Sequence, residues 1–264
     1  MRPPARCMWF LAAALNIAVS ILAPAQIEHP VAIAPGTDRA QSQDATISFK
    51  LSWPAIHPSD YSITVHRDGR AEYVSVVKGL SPPQQRNAPV ESNAEQTVQS
   101  SDASAQDAFR KQFTASDSLR QKVFSLAERT NFFDGQFDFT KHPVAQTGRK
   151  TLNYDDANRH TSTTYNYSED PSIDELTGIF QGISTTIEGG RRLEFDRRFE
   201  KLQLDADLKN LEELSSDGRL QEVQVIAPIL QRLAADRTVL HIAQQRAERI
   251  LRKSGQPIAP TTTD

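Results

Sequence analysis

Alternation of apolar and polar residues predicts three strands in the first part of the chain. Residues 47–51, 61–65 and 71–77 each place apolar side chains at every second position. Successive side chains of a strand point to opposite faces, so each run predicts a half-buried strand. Asp68-Gly69 separates the second run from the third and predicts a hairpin with a type I′ turn, in which both central residues take positive φ.

Spacings of three and four residues predict two helices further along. Ser116 or Asp117 can cap the first helix, which ends at Asn131. Asp170-Pro171 supplies the cap and first-turn proline of the second helix, which is predicted to end at Gly189-Gly190. Between the helices lie three short predicted strands, at residues 137–139, 150–154 and 161–167.

This order of elements predicts an α+β fold, an antiparallel sheet with helices on one face, over residues 45–190. Within it, residues 81–106 are rich in Pro, Gln, Ser and Asn and predict a disordered loop. Residues 191–253 have helical periodicity with a break at 215–218 and predict a C-terminal helical bundle, in which Pro228 must kink or restart a helix. Residues 254–264 are predicted to form a disordered tail.

The first 25 residues have the layout of a secretory signal peptide. Arg2 and Arg6 precede an apolar run at residues 7–22, and Ala23-Pro24-Ala25 follows it. We expect cleavage after Ala25, a flexible tether at residues 26–44, and a secreted or periplasmic protein. The apolar run is shorter than the roughly 20 residues of a spanning helix. An uncleaved anchor is the alternative; after cleavage no membrane span is expected.

Composition and charge narrow the function classes. With 30 Lys and Arg against 33 Asp and Glu, the net charge is −3, which provides no basic field for nucleic acid. The single cysteine, Cys7, lies inside the predicted signal, so thiol catalysis and thiolate metal sites are excluded from the mature chain. No cofactor is expected.

One stretch resembles a known family. The sequence Tyr61-Ser-Ile-Thr-Val-His-Arg-Asp68-Gly69-Arg-Ala-Glu-Tyr73 resembles the opening hairpin of a family of uncharacterised secreted bacterial domains of unknown function. Across residues 45–188 the later parts follow in the family's order: a helix ending in Phe132-Phe133, a polar turn near Thr147-Gly148, two strands, and a helix after Pro171. The cysteine pair that the family places before the first tyrosine is absent here. The resemblance implies export and this fold, and it implies no activity.

Linear motifs offer little chemistry. Ser75-Val-Val-Lys78 fits the S-x-x-K pattern of serine acyl-transfer enzymes but sits at a strand end, whereas the motif belongs at the start of a buried helix. The acidic pairs Asp205 with Asp207 and Glu212 with Glu213 lie among lysines and arginines, which is typical of solvated helix faces.

A metal site is the main catalytic hypothesis. Adjacent strand ends could bring together His142, Asp155, Asp156 and His160, whose side chains are ordinary metal ligands. Such a site, or a carboxylate pair, would support a hydrolase. The alternative is a polar hairpin turn with surface histidines beside it.

Aromatic side chains with polar tips suggest binding instead. The candidates are Trp53, Tyr61, Tyr154, Tyr165 and Tyr167. The alternative is that these tyrosines line a core edge. We expect an exported, soluble, non-catalytic binding or envelope-associated module, with an envelope protein as its partner class and the hydrolase as the alternative.

Two further sequence features could contribute to binding. The last helix could dock a partner through an apolar stripe around Val239, Ile242 and Ile250. The arginines at 191, 192, 197 and 198 could grip an anionic surface, although interleaved acids favour ion pairs within the helix.

Overall fold

The computed structural model describes residues 45–76 and 108–258. The predicted signal peptide, tether and disordered loop, and most of the predicted tail, lie outside the described residues. The described strands are β1 (Thr46–Ser52), β2 (Asp60–His66), β3 (Arg70–Val76), β4 (Ala108–Thr114), β5 (Arg149–Asp155) and β6 (His160–Tyr165). The α-helices are α1 (Asp117–Arg129), α2 (Pro171–Phe199), α3 (Leu204–Ser216), α4 (Ala227–Ala235) and α5 (His241–Lys253).

The six strands form one antiparallel sheet in the order β4-β3-β2-β1-β5-β6. Its inward side chains join those of α1 and the first part of α2 in one apolar cluster, the sheet cluster, which spans residues 45–187. Phe49 of the central strand stacks on Phe180 of α2 with ring centroids 5.1 Å apart. The opposite face carries mostly Ser, Thr and charged side chains. The predicted α+β fold is confirmed.

The predicted β2–β3 hairpin is present, but its turn is of another type. The amide of Gly69 donates to the carbonyl of His66 at 3.0 Å, and Gly69 has φ +97° while Asp68 stays at negative φ. The loop is therefore a type I turn followed by a glycine in the left-handed region, the usual solution for three loop residues.

At the sheet edges the sequence prediction misses one strand and places another where the structure has none. β4 was not predicted because Arg110, Lys111 and Gln112 interrupt the alternation between Phe109 and Phe113. Residues 137–139, predicted as a strand, form none; the amide of Phe139 makes one ladder-like hydrogen bond, to the carbonyl of Tyr167 at 2.8 Å.

The predicted end of the second helix at Gly189-Gly190 is wrong. α2 continues to Phe199, and its glycines permit close packing: a Cβ on Gly190 would lie 2.3 Å from Cγ2 of Ile226. α2 therefore passes from the sheet cluster into a second apolar cluster, the bundle cluster, formed with α3, α4 and α5. The predicted domain boundary at 190 falls inside this helix.

The bundle is held by apolar contacts and by ion pairs between its elements. Arg246 of α5 donates to Asp205 and Glu212 of α3 at 2.8 and 2.9 Å.

Pro228 lies in the first turn of α4, where a proline costs no hydrogen bond, so it restarts a helix.

Candidate interaction surface

The fold brings only some of the predicted metal ligands together. His160 Nδ1 and Asp155 Oδ1 are 2.9 Å apart on the surface. Asp156 instead accepts from the Tyr154 hydroxyl at 2.6 Å and from turn amides. His142 packs its ring edge against Phe139, 4.6 Å between centroids. Across residues 45–76 and 108–258, no group of three or more His, Cys, Asp or Glu is placed to hold a metal.

Most of the candidate binding aromatics face the core. Tyr61, Tyr154 and Tyr165 are at most 5% exposed on the helix-covered face. Burial raises the pKa of Tyr61 well above its usual range. Burial, together with the hydrogen bond from its hydroxyl to Asp156, raises the pKa of Tyr154 to about 12. These three tyrosines therefore form no exposed binding face.

Trp53 and Tyr167 lie nearer to solvent. Trp53 is half-buried against the sheet cluster, and Tyr167 is exposed with its ring edge on Phe139. Phe139, against which Tyr167 packs, lines a cavity of about 320 Å³ whose lining side chains are mostly polar. Of the predicted aromatic set, Tyr167 is the one large apolar side chain that is strongly exposed among the described residues.

Ser75 belongs to a buried hydrogen-bond network. Its hydroxyl and that of Tyr73 both donate to Oε1 of Glu188 at 2.8 Å, and Arg191 donates to Oε2 of Glu188 at 2.7 Å. Burial and the neighbouring Glu188 carboxylate raise the pKa of Tyr73. Lys78, the other member of the motif, lies outside the described residues. The Ser75 hydroxyl therefore ties β3 to α2, and its proton is held by a carboxylate.

One carboxylate pair has unusual electrostatics. Asp196 is 3% exposed, and burial followed by the neighbouring Asp207 raises the pKa of Asp196 to about 7. Asp207 accepts from Arg192 at 2.9 Å. A buried carboxyl with a raised pKa beside a second carboxylate resembles an acid–base site. Asp196 itself is buried, however, and lines neither of the two cavities described.

The sequence did offer a signal for this pair. Asp196 follows Gly190 and Leu193 on the buried stripe of α2, which marks it as an acid in an apolar position. The prediction had grouped Asp207 with Asp205 on a solvated face, because lysines and arginines surround both in the sequence.

The clearest exposed apolar feature lies at the end of α2. Phe195 and Phe199 are 51% and 69% exposed, with ring centroids 5.0 Å apart, and Leu202 just beyond the helix is 85% exposed. Leu193 and Asp196 occupy the inner side of α2, and Phe195 and Phe199, four residues apart, share its outer side. We refer to Phe195, Phe199 and Leu202 as the α2 apolar patch.

The segment before α5 lies beside the α2 apolar patch. Lys201 donates to the Thr238 hydroxyl at 2.7 Å, and Arg197 pairs with Asp236 at 3.2 Å. In this segment Leu240 is 52% exposed, beside a shallow cavity of about 510 Å³. Exposed apolar side chains thus occur on both sides of the Lys201–Thr238 hydrogen bond.

The apolar stripe predicted on the last helix is mostly buried. Val239 and Ile250 are 6% and 1% exposed and belong to the bundle cluster, whereas Ile242 is 48% exposed. The prediction was therefore wrong for Val239 and Ile250, since both face the core of the bundle.

The arginines of α2 are mostly engaged in ion pairs. Arg191 pairs with Glu188 on the same helix, whereas Arg192 and Arg197 pair with Asp207 and Asp236 on other segments. The predicted pairing within the helix holds for Arg191 but is wrong for Arg192 and Arg197, whose partners lie on other elements. Pairing of three of the four arginines reduces the uncompensated charge near the α2 apolar patch, which favours contact with a protein.

None of the helices within the described ranges is long and apolar enough to cross a membrane. No family model matches the chain, and comparison with curated proteins finds no match either. The resemblance to secreted bacterial domains therefore stays a prediction.

Proposed function

We propose that this chain is an exported, non-catalytic binding module that docks an envelope protein through the α2 apolar patch. The observation that carries the proposal is the exposed Phe195–Phe199 ring pair on a helix whose other side is fully packed. Two half-exposed or more exposed phenylalanines present on the order of 200 Å² of aromatic surface. Apolar surface of this kind typically forms the centre of a protein interface.

The placing of the reactive groups favours binding over hydrolysis. Ser75 and Asp196 are buried, and Asp156 holds a turn. His160 has Asp155 as its partner on an exposed hairpin, away from either described cavity. An aromatic surface at a rigid helix end needs no such chemistry.

Site-specific crosslinking tests the docking surface. The photoreactive residue p-benzoylphenylalanine would replace Phe199, or Asn210 as an exposed control on α3. In cells of the native host, illumination should produce an adduct of defined mass from position 199 and little from position 210. Phe195→Ser should reduce that adduct several-fold.

Three outcomes would contradict the proposal: equal adducts from both positions, no adduct from position 199, or an adduct with the mass of two copies of this chain. Export is tested separately on the same material. Mass spectrometry of the extracellular or periplasmic fraction should find a chain that begins at Gln26, and recovery of uncleaved chain in the cytoplasm would contradict export.

A further inference from the structure

The two edges of the sheet differ. At the β6 edge, Thr161 donates to the carbonyl of Phe132, and Thr163 donates to the carbonyl of Gly135 at 3.3 Å. The neighbouring segment therefore covers β6. At the other edge lies β4, and no element that the structure describes is paired with its outer side.

The hydrogen-bond pattern shows which backbone groups of β4 face outward. Ala115 donates its amide to the carbonyl of Gly69 at 2.9 Å, so the odd-numbered residues of β4 pair with β3. In an antiparallel ladder the alternate residues then point their N–H and C=O groups away. The outward-facing residues are Ala108, Arg110, Gln112 and Thr114. Within residues 45–76 and 108–258, no partner reaches these backbone groups.

The side chains beside this edge define what could bind it. On the helix side of the sheet, Phe109 and Phe113 are half-buried, with Lys111 exposed between them. The guanidinium of Arg191 lies 5.3 Å from the centre of the Phe109 ring. On the other side, Arg110 has Glu72 at 3.8 Å. The strand itself contains two basic residues and no acidic residue.

We propose that β4 accepts an extended segment of a partner protein as an additional antiparallel strand, with an acidic residue opposite Lys111. Apolar side chains two residues to either side of the acid would lie against Phe109 and Phe113. Backbone hydrogen bonds would provide affinity, and these three positions would provide specificity, as in other cases of strand addition. The opposite charge follows from cross-strand pairing, in which like charges destabilise.

A second copy of this chain fits the edge less well. When β4 pairs with its own copy over its full length, Lys111 lies directly opposite Lys111, and Phe109 lies opposite Phe113. The two lysines then face each other at a non-hydrogen-bonded position, where side chains approach most closely. Lysine on an edge strand commonly prevents such self-pairing.

A peptide tests this proposal directly. The probe is the capped, dye-labelled heptapeptide Thr-Val-Thr-Glu-Thr-Val-Thr, and the readout is fluorescence anisotropy with the protein from Gln26 onward. Replacing the central Glu by Lys should weaken binding about tenfold. N-methylation of the two threonines beside the Glu removes amides that would face β4 and should abolish binding. N-methylation of the Glu itself removes an outward amide and should change binding little.

Two protein variants complete the test. Lys111→Glu should reverse the preference between the Glu and Lys peptides. Gln112→Pro removes an outward amide, leaves the ladder to β3 intact, and should lower affinity at least tenfold. A thermal melt confirms that both variants fold. Failure of the wild type to bind at millimolar concentration would overturn the proposal, as would unchanged binding by the folded Gln112→Pro variant. A dimer that Gln112→Pro dissociates would assign the edge to a second copy.

Discussion

The carboxylate of Glu222 caps a helix that begins more than a hundred residues earlier, through two hydrogen bonds from Ser116. The amide of Ser116 donates to Oε2 at 2.8 Å, and its hydroxyl donates to Oε1 at 2.6 Å. The Ser116 hydroxyl in turn accepts from the amide of Leu119 at 3.2 Å. Glu222 has φ +57°, a left-handed conformation rarely taken by side-chain-bearing residues. The segment between α3 and α4 is thereby fixed to the start of α1.

Loss of the Glu222 carboxylate should destabilise the fold. Glu222 is 8% exposed, so Glu222→Ala removes both of its hydrogen bonds from Ser116 and leaves the Ser116 amide without its partner, which should cost about 1–3 kcal/mol in free energy of unfolding. Urea denaturation provides the measurement. Glu213→Ala, at an exposed position of α3, should change stability by less than about 0.5 kcal/mol. Equal effects of the two substitutions would show that the Glu222 cap does not contribute to the free energy of unfolding.

The raised pKa of Asp196 predicts an unusual pH dependence. Because that pKa is about 7 in the folded state against 3.8 as the ordinary value, the folded protein retains a proton that the unfolded chain releases. Its contribution to stability is therefore complete below about pH 4 and is lost as pH rises through 7. Repulsion between Asp196 and Asp207 then remains, countered in part by Arg192 on α2.

Asp196→Asn tests this dependence, since the amide stays neutral at every pH. The variant should be more stable than wild type at pH 8, by on the order of 2–4 kcal/mol, and similar to it near pH 4. Urea unfolding of both proteins from pH 4 to 8 gives the difference curve. Asp217→Asn, at an exposed site, should show a flat difference. A flat curve for Asp196→Asn would mean that the carboxyl is ionised throughout.

Lys150 should be required for the packing of the loop before β5. It is 5% exposed, and its ammonium donates to the carbonyl of Asn166 at 2.7 Å and the carbonyl of Thr147 at 3.0 Å. Burial lowers the pKa of Lys150. Lys150→Met leaves those carbonyls unsatisfied and should cost about 1–3 kcal/mol. A thermal melt provides the measurement. The control is Lys209→Met, at an exposed position of α3, which should leave the melting temperature nearly unchanged.

Two glycines of α2 should respond oppositely to alanine. Gly190→Ala brings a methyl group against Ile226 and should destabilise by about 1–3 kcal/mol. A Cβ on Gly178 has no heavy atom within 4 Å, so Gly178→Ala should stabilise by about 0.5–1 kcal/mol through helix propensity. Calorimetric melting temperatures give both signs. Adding Ile226→Ala should relieve part of the Gly190→Ala loss; no relief would place the clash elsewhere.

Local patterns predicted the elements well where burial imposes a clear period. Strands β1, β2, β3, β5 and β6 alternate buried side chains with more accessible ones, and the predicted start of α2 at Pro171 is confirmed by its Asp170 cap. β4 was not predicted because an edge strand buries few side chains, so its alternation is weak. The end of α2 was predicted wrongly because Gly189 and Gly190 allow close packing against Leu211 and Ile226, which the sequence pattern does not show.

The candidate site was harder to predict for the same physical reason. A phenylalanine at helical spacing normally indicates a buried face, and only the position of Leu193 and Asp196 on the inner side of α2 places Phe195 and Phe199 outward. The tyrosines gave the opposite error, since their polar tips suggested a surface whereas Tyr165, for example, satisfies its hydroxyl inside the core with Thr177 at 2.6 Å.

The length of α2 also determines how the molecule comes apart. Because one uninterrupted helix supplies apolar side chains to both clusters, melting of either cluster frays the scaffold of the other. The described part of the chain should then behave as a single foldon, in which the amides around Gly189 exchange with solvent only through global unfolding. Recombination or truncation at residue 190 would consequently break a cooperative unit. The C-terminal helices and the sheet should therefore be exchanged between proteins only as one piece.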